Sequence, residues 1–338
     1  MKAHPFLEPK YAFPRKMQAW VRRHERILVR ATSGVGLAIV VWQISQHGGW
    51  DALPGVGIAS MGALILAVVL WPFNLGLEVA KWRHLKSKRL GEGSWKASWG
   101  EVLVGQAWAL LGPFRLADGA GRWAMMREMS NHAGSVEGGH HPDTAHEPQS
   151  TRSPRASEVA TAFGWGALAQ GWATWWMGGV AMVVWGWVWP GIALCIACMA
   201  GAMWMASRGA SWTVLGLSVA RYLVFASQYV ACLVAFGVVT ASEAWHEAFP
   251  RVAAIWCALH SIPWPVELGM REAVAVLVFD QTLPSVVVAT GVVWLINRGG
   301  SAVFGFLWGW ARPKASPDSS ATQSCGRFGR RSKPQSNP

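Results

Sequence analysis

Residues 214–240 read VLGLSVARYLVFASQYVACLVAFGVVT. One charge, Arg221, and one amide, Gln228, interrupt a run otherwise made of apolar and small residues. It is longer than the roughly 17–25 residues that carry an α-helix across a bilayer, and too long for a strand of a membrane barrel. Working outward, Ala31–Ser45, Val56–Phe73, Ala160–Met182, Trp189–Met205 and Ser285–Trp310 approach or exceed the same length. The runs predict an all-α polytopic membrane protein of about eight transmembrane helices, some of them broken or re-entrant.

Composition agrees with that reading. Of 338 residues, 52% are hydrophobic and only 14% charged, where a soluble domain carries about a quarter charged residues. This excludes a soluble α/β enzyme. The 24 tryptophans exceed what two interfacial belts use, so several are expected inside the bundle.

The net charge of +12 points to lipid rather than nucleic acid because of where it lies. Residues 1–30 hold eight Lys/Arg against two acids, residues 81–96 six against one, and the tail from Ala311 six against one. These clusters flank apolar runs, as cytoplasmic segments facing anionic lipid do. The expected site is the cytoplasmic (inner) membrane, with both termini inside and the acidic loop HGGWDALPG outside. No folded basic domain of the nucleic-acid-binding kind is present.

Three regions follow. Residues 1–30 form a basic cytoplasmic amphipathic arm, 31–310 the membrane domain with a polar loop at 131–158, and 311–338 a disordered basic tail. Trp71-Pro72 marks the return of the second span, Trp99–Pro113 a short crossing or a re-entrant hairpin, and SEAWHEAFPR an acidic loop. His140, His141 and His146 lie in the polar loop without the scaffold a metal site needs. Cys195 and Cys198 form a CxxC within an apolar helix, where they read as small buried hydrophobes rather than ligands. No cofactor is expected.

Charges at bilayer depth cost about 2.5–3.5 kcal/mol each, so they face a bundle interior or line a ligand path. Four clusters stand out. Asn74, Glu78 and Lys81 share one helical face, although Lys81, near a span end, is expected to snorkel. Arg115, Asp118 and Arg122 follow, the last two one helical turn apart. Arg221 and Gln228 lie two turns apart. In WPVELGMREAV, residues 264–274, Glu267 and Arg271 are i, i+4 partners and Glu272 points elsewhere. There Pro263 and Pro265 end one helix, and Gly269 precedes the start of another. A new helix start offers free N–H groups to a phosphate or carboxylate.

The order of these motifs resembles the flippase-like family, also called the lysylphosphatidylglycerol synthase transmembrane region. NLGLEVAKW, GPFRLADGAGR, ARYLVFASQYV and IPWPVELGMREA are similar to four of its elements in sequence, over roughly residues 27–310. Gly112, Ala117 and Asp118 depart from the family's usual Thr, Gly and Glu. The resemblance implies a polar path for a lipid headgroup through Asn74, Glu78, Arg115, Asp118, Arg122, Arg221, Gln228, Glu267, Arg271 and Glu272. The soluble aminoacyl-transferase domain that some members carry has no counterpart in this sequence.

The leading expectation is therefore a translocase that flips an anionic phospholipid or lipid-linked headgroup. The expected partners are that lipid, a second copy of the chain, or a separate lipid-modifying enzyme. A membrane transferase acting on a polyprenyl-phosphate- or phospholipid-linked substrate, with Asp118 or Glu267 as base or metal ligand, is the alternative. A scaffold whose charges only fix helix register is the third reading. No GxxxxGK[ST] motif is present to bind a nucleotide.

Overall fold

A computed structural model describes residues 56–91, 94–111, 116–136, 155–261, 270–279 and 283–310. Within them every element is helical: α1 Met61–Leu90, α2 Trp95–Leu111, α3 Leu116–Val136, α4 Ala156–Val184, α5 Val188–Ser207 and α6 Trp212–Ala235. These are followed by α7 Phe249–Ser261, α8 Met270–Phe279, α9 Leu283–Trp294 and α10 Ser301–Trp310. A π-helical turn, Ala244–Ala248, runs into α7, and a second, Leu295–Gly300, joins α9 to α10. Four helical stretches are long and apolar enough to cross a membrane: Met61–Leu90, Val188–Ser207, Trp212–Ala235 and Pro284–Trp310. The arm at 1–30, the run Ala31–Ser45, the loop HGGWDALPG, the three loop histidines and the tail at 311–338 lie outside the described residues.

The helix α1 shows how the bundle is built. Ser60 caps it, its Oγ accepting from Ala63 N at 3.3 Å, and Gly91 ends it in the left-handed region at φ 73°. At about 1.5 Å per residue its 30 residues span about 45 Å, longer than the roughly 30 Å apolar slab. Met61, Ile65, Leu66, Val69 and Phe73 are exposed, while Asn74, Glu78, Lys81 and Lys86 are buried. A water-soluble helix does the reverse. Apolar outside and polar inside is the pattern of a chain solvated by lipid.

Helix α1 packs most extensively against α6, and both touch α4, so these three form the centre. Small residues let the backbones approach. Gly179 of α4 faces Gly191 of α5, and a Cβ on Gly191 would meet the backbone nitrogen of Val183 at 2.8 Å. The α2–α3 pair packs to one side, joined to the centre through α1 and covered by α10. At its closest approach Gly105 of α2 lies under Asp118 and Arg122 of α3, and a Cβ on Gly121 would stand 3.0 Å from Gly105 Cα.

Pro72 lies inside α1, which passes unbroken through Trp71-Pro72 into the basic segment that follows it in sequence. Two expectations need correction. The polar loop expected at 131–158 is shorter at both ends, because α3 continues to Val136 and α4 begins at Ala156. Its start is fixed by Glu158, whose Oε2 accepts from Arg155 N at 2.9 Å, a local cap that composition alone does not display. SEAWHEAFPR is largely helical, turning through Ala244–Ala248 into α7. Polar exposed faces, not loop structure, account for its charges: Trp245, His246 and Glu247 are exposed while Ala244 and Ala248 are buried.

Candidate functional site

At the centre of the bundle Glu78 of α1 meets three cations from three helices. Its Oε2 lies 2.7 Å from Lys81 Nζ and 3.0 Å from Arg221 Nη1 of α6, and its Oε1 lies 2.9 Å from Arg122 Nη2 of α3. Arg122 also forks onto Asp118, with Nε at 2.7 Å from Oδ1 and Nη2 at 3.0 Å from Oδ2. Its guanidinium stacks over Trp82, 4.9 Å from the ring centroid. Arg122 is 1% exposed and Lys81 3%. Lys81 therefore does not snorkel, as its place near a span end suggested: it turns inward, where Glu78 and Gln170 Oε1 receive it.

Amides extend the network. Gln170 of α4 accepts from both Lys81 Nζ at 3.4 Å and Arg221 Nη1 at 3.3 Å. Gln106 of α2 donates to Asp118 Oδ2 at 3.4 Å and accepts from Arg298 Nη1 at 2.7 Å. Asn297 accepts from Asn74 Nδ2 at 2.6 Å and donates to Gln228 Oε1 at 2.9 Å, and Gln228 Nε2 caps the carbonyl of Ala67 at 2.8 Å. Asn297 and Arg298 sit in the π-helical turn 295–300; such turns recur at functional sites.

Two hollows flank this network. The larger, about 90 Å³, is lined by Asn74, Glu78, Gln106, Gln170, Arg221, Tyr222, Trp256, His260, Arg271, Asn297 and Arg298, with Trp71, Phe225 and Trp294 as apolar wall. The smaller, about 60 Å³, is lined by Glu78, Lys81, Trp82, Gln106, Asp118, Arg122, Phe163, Gln170, Arg221 and Arg298. Glu78, Gln106, Gln170, Arg221 and Arg298 line both, so they form the partition between them. Around the larger hollow, Arg271 Nε, Tyr222 Oη, Trp256 Nε1 and Asn74 Oδ1 are buried with no hydrogen-bond partner among the described residues. Buried polar atoms are rarely left so, which marks the hollow as a place for a polar guest.

The structure brings together Asn74, Glu78, Asp118, Arg122, Arg221 and Arg271 of the residues named from sequence. Gln228 stands one hydrogen bond behind them, through Asn297. Glu272 does not point elsewhere: it is buried, and its Oε1 lies 2.6 Å from Arg271 Nη2 in the first turn of α8. Arg115 and Glu267 lie outside the described residues. Sequence reasoning passed over Gln106, Gln170, Asn297 and Arg298. The signal for the last two was present, since an Asn-Arg pair interrupts the otherwise apolar run at 285–310. It also passed over a second buried lock, in which Glu101 of α2 accepts from Lys86 Nζ at 2.8 Å and Trp82 Nε1 at 2.6 Å.

These features define a helical membrane protein with a charged, hollow interior. No family model matches the chain, and no curated protein or solved structure matches it.

Proposed function

We propose that the chain binds an anionic lipid headgroup in the paired hollows and passes it between leaflets, in the manner of the flippase-like proteins that its motifs resemble. The observation that carries this reading is the hollow lined by Arg221, Arg271 and Arg298, where Arg271 Nε, Tyr222 Oη and Trp256 Nε1 have no hydrogen-bond partner among the described residues. Guanidinium groups suit a phosphate because their planar fork makes two parallel contacts. Around the hollow lies an apolar shell, including Ile65, Leu66, Phe73, Leu277, Phe304 and Leu307, against which acyl chains can remain while the headgroup moves. We read the whole as about eight membrane-embedded passages in the cytoplasmic membrane, with α2–α3 and α7–α8 as the broken or re-entrant elements.

Both oxygens of Asp118 accept, from Arg122 and Gln106, which suits this acid to a structural role; Glu267, the other acid of the transferase alternative, lies outside the described residues. The test is reconstitution of the full chain into liposomes with tail-labelled anionic phospholipids and polyprenyl phosphates. Leaflet exchange without covalent change is the expected result. A new lipid product, or exchange no faster than in protein-free liposomes, overturns the proposal.

A further inference from the structure

A chain of amides fixes one atom of the larger hollow as an acceptor. The carbonyl oxygens of Ala67 and Val293 can only accept, so the amide nitrogens of Gln228 and Asn297 must face them, at 2.8 Å and 3.0 Å. Gln228 Oε1 then takes the second hydrogen of Asn297 Nδ2 at 2.9 Å. That leaves Asn297 Oδ1 to accept from Asn74 Nδ2 at 2.6 Å. The Asn74 amide is thereby held one way round, with Oδ1 buried and without a hydrogen-bond partner among the described residues. Asn74 is 5% exposed and lines the hollow. Around the same hollow stand three donors in the same condition: Arg271 Nε of α8, Tyr222 Oη of α6 and Trp256 Nε1 of α7.

Donors and an acceptor together make a mixed demand. Phosphate oxygens answer the donors, but an ionised phosphodiester has no hydrogen to give Asn74 Oδ1. The other carboxylate or amide oxygen left without a hydrogen bond there, Glu78 Oε2, is held by ion pairs, 2.7 Å from Lys81 Nζ and 3.0 Å from Arg221 Nη1. We infer that the guest carries a hydroxyl beside its phosphate: a phosphodiester headgroup ending in a short alcohol. This rests on the lipid-binding reading above and deepens it. An ammonium suits the place less well, since it brings three hydrogens where Asn74 Oδ1 takes one, and it has no acceptor of its own. A hydroxyl gives one hydrogen to Asn74 and can accept from Tyr222 or Trp256 in return. The size agrees. At roughly 10–15 Å³ per water-sized group, about 90 Å³ takes a phosphate and a 2-hydroxyethyl arm, about eight heavy atoms in all.

Three lipids that differ by one terminal group test this. The ethyl, 2-hydroxyethyl and 2-aminoethyl esters of phosphatidic acid share their tails and end in a hydrogen, a hydroxyl and an ammonium. Tail-labelled forms of each are titrated into the purified full chain and followed for leaflet exchange in proteoliposomes, with 2-hydroxyethyl methyl phosphate as a soluble diester in a fourth arm. The expected result is binding of the hydroxyethyl ester about tenfold tighter than of the ethyl ester, roughly the worth of one buried hydrogen bond, and tighter than of the aminoethyl ester. Asn74→Ala brings the ethyl and hydroxyethyl esters to equal affinity, whereas Arg271→Gln weakens both alike, severalfold. The wild-type comparison needs neither variant. Equal binding of those two esters by wild-type protein, with exchange of both, overturns the hydroxyl inference and leaves the translocase reading standing. Tightest binding of the aminoethyl ester overturns it in the same way. A preference that survives Asn74→Ala overturns the assignment of the hydroxyl to Asn74. Uptake of the soluble diester without lipid exchange keeps the hydroxylated phosphate and overturns the lipid reading. Binding of none of the four by wild-type protein overturns both.

Discussion

Arg221 Nη1 on α6 lies 3.0 Å from Glu78 Oε2 on α1, so the two most extensively packed helices of the bundle share an ion pair at their centre. Lys81 and Arg122 complete a cage of three cations around that one carboxylate. Removing the acid takes from Lys81 its carboxylate partner and one contact each from Arg122, which keeps Asp118, and from the half-buried Arg221, whereas removing one cation leaves the other two in place.

Glu78→Gln is accordingly expected to destabilise the protein by about 3–5 kcal/mol, the usual cost of breaking a buried pair. Glu78→Gln combined with Lys81→Met should recover part of that loss. Denaturant or thermal unfolding in detergent measures both. A fully additive double variant would show that Glu78 and Lys81 do not interact.

Lysine reactivity separates a buried Lys81 from a snorkelling one. Lys88 is exposed near the end of α1, while Lys81 and Lys86 are buried against Glu78 and Glu101. An amine-reactive label followed by mass mapping should modify Lys88 and spare the other two in the folded protein. Labelling of Lys81 at the rate of Lys88 contradicts the structure.

The α2–α3 contact depends on a missing side chain. A methyl group at Gly105 would collide with Asp118 Oδ1 and stand 2.9 Å from Arg122 Cγ. Gly105→Ala should cost about 1–3 kcal/mol or more through overpacking, and it should also weaken the Asp118–Arg122 fork. Gly164→Ala, in a helix with open space around it, should be neutral or mildly stabilising. The comparison is read as paired melting temperatures.

Gln228 is buried between Ala67 O and Asn297. Gln228→Leu should cost about 1–3 kcal/mol by leaving Asn297 with an unmet donor. It should have a smaller effect on lipid binding than substitutions at Arg271, because Gln228 does not line the hollows. Parallel unfolding and lipid-titration curves check the separation.

The helices and the inward charges were legible because each violates what lipid tolerates. Arg221 in residues 214–240 and Arg271 in MREA announce themselves as charges among apolar neighbours. The neutral partners did not. Gln106 and Gln170 cost far less than charges in such a setting, so nothing in their own runs marks them as contacts, and Asn297 shows only through its neighbour Arg298. Part of the pairing of Arg271 also escaped reading: the first turn of α8 brings the adjacent Glu272 to it at 2.6 Å, while Glu267, the expected i, i+4 partner, lies outside the described residues. Lys81 misled for a related reason. Its distance from the span end suits snorkelling, and only the three-dimensional position of Glu78 and Gln170 shows why it turns inward.

The central claim is that the cationic hollow inside the bundle holds an anionic lipid headgroup. Its most direct test is an electron cryo-microscopy map of the full chain in nanodiscs containing phosphatidic acid. The account predicts phosphate density within hydrogen-bond distance of Arg271, Tyr222 and Trp256, with its tails leaving toward the lipid-facing shell. A map in which that hollow holds only water, with lipid confined to the outer surface of the helices, contradicts it.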